Sequence, residues 1–142
     1  MRPRKVVLLI NDREQERNCW HFVFENTLWF RVISEGAMPM AFHGEIPEVA
    51  VLRGRDARLN AEIIRLLFPE MRILAVATSG TLDSDQYINA DAFLMPHATM
   101  AEIIDTLKTL ALRKRGPKKS TVEPAAFPVN KSVYLGVTEN VQ

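Results

Sequence analysis

One cysteine, Cys19, stands in a chain of 142 residues, so no internal disulfide can form, and no Cys/His cluster has zinc-ligand spacing. Long hydrophobic runs are also missing. Val6–Ile10, five residues long, gives way to Asn11-Asp12, too short for a signal-peptide core and far too short to span a bilayer. A cytoplasmic location and no membrane role are expected. Charge of one sign is missing too: 18 Lys and Arg face 17 Asp and Glu, a net charge of +1. That balance argues against an overall electrostatic commitment to nucleic acid. Glycine is absent from Asn11-Asp12-Arg13-Glu14-Gln15, where two carboxylates would repel a phosphate. A nucleotide-cradling loop at this point is therefore disfavoured.

Apolar content of 47% and charged content of 25% are ordinary for a globular protein, and the length suits one domain. The stretch Pro47-Glu48-Val49-Ala50-Val51-Leu52-Arg53-Gly54 reads as a strand buried on both faces, as central parallel strands are. Val6–Ile10, Phe30–Ile33, Arg72–Thr78 and Ala92–Met95 read as four more strands. Trp20, Val23, Phe24, Thr27 and Leu28 fall on one face of a helix over Arg13–Leu28. Leu59, Ile63, Ile64, Leu67 and Phe68 do the same for a helix capped by Asp56 and stopped by Pro69. Asp83–Asn89 should hold a short helix, and residues 36–44, with Pro39, at most a poorly formed one. Thr99-Met100-Ala101-Glu102 is a capping box for a helix striped by Met100, Ile103, Ile104, Leu107, Leu110 and Ala111, ending at Gly116-Pro117. The order βαβαβαβαβα predicts a parallel sheet with helices on both faces. Residues 1–116 form the domain; 117–142 are a tail, irregular or docked, with a short strand conceivable at Val133–Leu135.

Ligands of open α/β sheets lie at the carboxyl ends of the strands, and there the central strand carries Arg53. A guanidinium is permanently charged and donates only, so Arg53 is neither base nor nucleophile. Several segments resemble the receiver domain of bacterial response regulators. Asn11-Asp12 stands where that family has an acidic pair, and Arg17 where it often has an arginine. Pro47–Arg53 resembles its Pro-Asp-Leu-Val-Leu-Leu-Asp, with Arg53 at the phosphoacceptor. Thr78 matches its hydroxyl residue, Phe93 its switch aromatic, and Pro96 stands at its lysine. The resemblance covers about residues 4–115 and implies a flavodoxin-like, doubly wound (βα)5 sandwich with strand order 2-1-3-4-5.

Receiver chemistry, as the resemblance implies it, needs a carboxylate nucleophile, two further carboxylates around Mg²⁺, a lysine and a hydroxyl. Asn11, Asp12, Arg53, Thr78 and Pro96 supply one carboxylate and one hydroxyl. A divalent cation beside a guanidinium is electrostatically poor. The expectation is a degenerate, pseudo-receiver module of two-component type with no cofactor, no bound metal and no enzymatic activity, acting through protein partners. Arg53 is expected to lie in the vacated metal site and pair with Asp12; the alternative is that it swings into solvent. The family often dimerises through its fourth helix, fifth strand and fifth helix, here Tyr87, Asp91, Phe93, Ile103 and Asp105, so a homodimer through that face is expected. Two other classes stay open: a receiver phosphorylated on a displaced aspartate, Asp12 or Asp56, and a small-ligand-binding flavodoxin-like domain.

The remaining signals have plain readings. Thr78 and Phe93 are read as static rather than switching, and His97, His21 and His43 as ordinary. Arg113-Lys114-Arg115-Gly116-Pro117-Lys118-Lys119 suits nucleic acid or anionic lipid. It also coincides with a helix end, where cations belong, and the structural reading is preferred. Cys19 and the two tryptophans are read as core.

Overall fold

Runs of apolar, often β-branched residues become the strands of a single parallel sheet. The computed structural model describes residues 3–78 and 89–112. Its elements are β1 (Lys5–Asn11), α1 (Glu14–Asn26), β2 (Phe30–Glu35), β3 (Val49–Arg53), α2 (Ala57–Leu67), β4 (Arg72–Val76), β5 (Ala92–Leu94) and α3 (Met100–Leu112). The strand order is β2-β1-β3-β4-β5 and every pairing is parallel, as expected. Tyr87, the greater part of the helix expected over 83–89, residues 113–116 and the tail lie outside the described residues.

The pleat sends alternate residues to opposite faces. Val7, Leu9, Val49, Val51, Leu74 and Val76 meet Trp20 and Phe24 of α1 and Ile103, Leu107, Leu110 and Ala111 of α3. Leu8, Ile10, Ala50, Leu52, Ile73 and Ala75 meet Ala57, Ala61 and Ile64 of α2 and Met71. Phe24 and Leu107 are wholly buried, each worth roughly 1.5–3 kcal/mol of transfer free energy.

The capping box forms as read: Thr99 N–H donates to Glu102 Oε1 at 2.8 Å, and Glu102 N–H donates to Thr99 Oγ1 at 3.1 Å. Asp56 occupies the position before α2, but its side chain makes no capping hydrogen bond. On the outer edge of the sheet, His21 Nδ1 lies 2.5 Å from Ser34 Oγ and Glu25 Oε2 accepts Val32 N–H at 2.8 Å, tying β2 to α1. Among the described residues, no helix is long and apolar enough to cross a membrane.

Four further expectations need correction. No helix forms between β2 and β3; Pro39 and Gly36, Gly44 break the pattern, and residues 36–48 cross as an irregular connection. Met38 and Phe42 in that connection pack over the second core cluster. Cys19 is exposed on α1 rather than core. Leu28 is 76% exposed, because the chain leaves α1 through a left-handed residue there, at φ 66°. On α2 the buried side is Ala57, Asn60, Ala61 and Ile64, while Leu59 and Leu67 face outward. The alanines let the helix approach the sheet closely.

Candidate functional site

The carboxyl edge of the sheet gathers the residues singled out above. Asn11 and Arg53 end β1 and β3 and are register partners, so parallel pairing alone brings them side by side. Asn11 is fully buried, and its side-chain amide and its carbonyl are all engaged. Its Nδ2 donates to Glu16 Oε1 at 2.8 Å, its Oδ1 accepts Arg13 N–H at 2.9 Å, and its carbonyl accepts Arg17 Nη1 at 2.7 Å. The turn into α1 is thereby fixed from within.

Arg53 does not pair with Asp12. No nitrogen of Arg53 lies within 4.0 Å of an Asp12 oxygen. Its Nε donates to Glu16 Oε1 at 2.9 Å and its Nη1 donates to the Ala77 carbonyl at 3.0 Å. The guanidinium carbon lies 5.2 Å from the Trp20 ring centroid, a cation–π arrangement. Only 11% of the Arg53 side chain and 25% of the Glu16 side chain are exposed. Arg53 therefore spans from α1 across β3 to the residue after β4, as an internal cross-brace.

Asp12 is occupied elsewhere. Its Oδ2 accepts Arg55 N–H at 3.2 Å, and its carboxylate lies against Gly54. A Cβ on Gly54 would come within 2.5 Å of Asp12 Oδ1, and Gly54 has φ +118°. Backbone of that kind favours glycine, so Gly54 lets Asp12 close over the β3–α2 turn.

Glu16 is the partner of Arg53 that the sequence reading did not anticipate. It precedes Trp20 and Phe24 by four and eight positions, on the same helical stripe that faces the sheet. That spacing was available in the sequence. The acidic pair drew attention to Asp12, whose shorter side chain leaves from the loop.

Thr78 follows Ala77 and is partly buried. Pro96, where the resemblance places a lysine, is also partly buried and brings no ammonium. Phe93 packs partly buried against the second core cluster. Asp91 is engaged in structure: it pairs with Arg65 at 2.9 Å and Arg72 at 3.8 Å and accepts Ile73 N–H at 2.8 Å. Ile103 is 2% exposed, in the first core cluster, and so cannot serve as surface. Asp105 is exposed.

The divalent cation implied by the resemblance does not fit these residues. Asn11 brings an amide already bonded on both sides, Asp12 closes over Gly54, and the Glu16 oxygen is neutralised by Arg53. Among the described residues no group of three His, Cys, Asp or Glu is arranged to hold a metal.

No protein-family model and no curated sequence matches this chain. Solved structures do. The response regulator TrrA of Thermotoga maritima, in complex with Mg²⁺-BeF, aligns with a TM-score of 0.65 at 16% identity over 75% of this chain and 98% of its own. A CheY-like response regulator receiver domain from Methanospirillum hungatei aligns at 0.61 and 15%, covering 77% and 94%. An orphan response regulator of H. pylori aligns at 0.61 and 12%, covering 77% and 99%. The fold is the receiver fold. At these identities the likeness carries the architecture, and the chemistry rests on the residues of this chain.

Proposed function

We propose that this chain is a receiver-like signalling module of two-component type that works through protein–protein contact and takes no phosphate at the end of β3. One observation carries the reading: the guanidinium of Arg53 is built into the carboxyl edge, ion-paired to Glu16 and bonded to the Ala77 carbonyl. In a receiver that exchanges phosphate, charge at this position changes with the signal. A guanidinium keeps its charge under all physiological conditions, so the connection between β3 and the segment after β4 stays made. The partner would read one fixed surface.

The experiment is incubation with a small acyl phosphate and Mg²⁺ followed by intact mass, with Trp20 fluorescence followed during a separate Mg²⁺ titration. Unchanged mass and unchanged emission are expected. A phosphoryl adduct lost in Asp12→Asn or Asp56→Asn would establish the displaced-aspartate alternative and overturn the proposal. The tie of Asp12 to Arg55 N–H and its closure over Gly54 speak against that route.

A further inference from the structure

Helix α2 has two apolar stripes, and only one is used by the sheet. Ala57, Asn60, Ala61 and Ile64 are buried. Leu59, Leu66 and Leu67 are 54%, 83% and 59% exposed, and Ile63 between them is partly exposed. At about 100° per residue, these four lie along one side of the helix. Arg65 leaves from roughly the opposite side, where it donates to the Asn89 carbonyl at 2.6 Å and pairs with Asp91. The leucine stripe therefore turns away from β5 and toward the side of the crossover between β2 and β3. No helix forms in that crossover; from it Met38 and Phe42 reach the second core cluster, Phe42 with its ring centroid 5.2 Å from that of Phe68, and among the described residues Leu59, Leu66 and Leu67 stay exposed.

The charges at the ends of the stripe select the occupant. Arg55 precedes α2 and Glu70 follows it; both are exposed, and neither forms an ion pair among the described residues. An interface between identical copies about a twofold axis must complement itself. An axis between Glu62 and Ile63, with the two helices antiparallel, sets Leu59 opposite Leu66 of the second copy. Arg55 lies just before α2 and Glu70 just past it, outside the helix itself, so the same antiparallel arrangement brings the Arg55 end of each helix to the Glu70 end of the other. The helix dipoles then also run head to tail. Glu62 borders the stripe, and Arg58, which pairs with it at 3.4 Å, lies on the side of Arg65.

We infer that a second copy of this chain covers α2, through an antiparallel α2–α2 contact of Leu59, Ile63, Leu66 and Leu67 flanked by reciprocal Arg55–Glu70 pairs. This surface is separate from the β5 and α3 face that the resemblance implied, and it goes beyond the proposed signalling role. Its failure is read in association state, whereas failure of the phosphate-free reading is read in mass and metal binding.

The experiment is sedimentation velocity of the full chain across a concentration series. Wild type is expected to pass from monomer to dimer, and Leu66→Glu to weaken dimerisation at least about tenfold, or roughly 1.4 kcal/mol. Leu66 is exposed in the monomer, so thermal unfolding of the variant should be unchanged at low concentration. Arg55→Glu should weaken the dimer, and Arg55→Glu with Glu70→Arg should restore it. In a Cys19→Ser background, Ile63→Cys should oxidise to a disulfide-linked dimer. Wild type that stays monomeric at the highest concentration overturns the inference. So does a dimer indifferent to Leu66→Glu, above all one that Asp105→Arg breaks.

Discussion

Two arginine–carboxylate networks stand at opposite ends of the same sheet. At the carboxyl edge Arg53 joins Glu16 and the Ala77 carbonyl. At the amino edge Asp91 joins Arg65, Arg72 and Ile73 N–H, while Arg65 also donates to the Met71 and Asn89 carbonyls. The bonds are of one kind, and the ion-pair distances, 2.9 Å for Arg53–Glu16 and for Arg65–Asp91, are the same. What differs is where each sits. The amino-edge network closes α2 onto the start of β4 and the approach to β5, a place where open α/β sheets do not bind ligands. The carboxyl-edge network fills the place where they do. Chemistry alone does not distinguish a clamp from an occupied site; position in the fold does.

The largest expected effect belongs to the amino edge. Asp91→Ala should cost about 3–5 kcal/mol in denaturant unfolding, because it removes the largely buried carboxylate that Arg65, Arg72 and Ile73 N–H share. Asp91→Asn should cost less, since its amide oxygen can still accept Ile73 N–H. Next comes Gly54→Ala, expected to cost about 1–3 kcal/mol through its φ of +118° and the closeness of Asp12. Glu16→Gln should cost about 1–2 kcal/mol, toward the low end for a hydrogen bond to a charged group because the amide oxygen can still accept, and should change Trp20 emission as the guanidinium over the ring is loosened. If Glu16→Gln proves as costly as Asp91→Ala, the carboxyl-edge pair is a clamp as well and the contrast fails. Leu28→Gly touches neither network. It should raise stability by about 0.5–1 kcal/mol, read by thermal unfolding, because a left-handed leucine is replaced by the residue that suits it.

The sheet was legible because each strand is an apolar run bounded by polar or turn residues, and the order of elements leaves few topologies open. α3 was legible from its capping box, a strictly local device. α2 was misjudged because the most hydrophobic side of a helix is not always the inner one. Alanines and a buried Asn60 face the sheet, and the larger residues remain outside. Leu28 extended the helical period of α1 by one position but lies beyond the helix end, which periodicity cannot see. In the candidate site, the register of β1 and β3 was implicit in the paired strand ends. The partner of Arg53 depended on side-chain reach across a turn: Asp12 bends back over Gly54, and Glu16 stands within range of the guanidinium. Asp91 and Ile103 were expected at an interface because a family-level face carries no information about burial in this chain.

The irregular crossover over residues 36–48 bears on how the chain tolerates cutting. β1 is bonded to β2 on one side and β3 on the other, and α1 keeps β2 attached to β1 through a short local connection. The exposed stretch around Met40, 98% exposed, carries no strand or helix whose loss would unzip the sheet. A protease nick there divides the molecule into a β1-α1-β2 piece and a β3-to-α3 piece joined by the β1–β3 ladder and a shared core. Two halves expressed separately are expected to reassemble, with the seam running through the middle of the sheet.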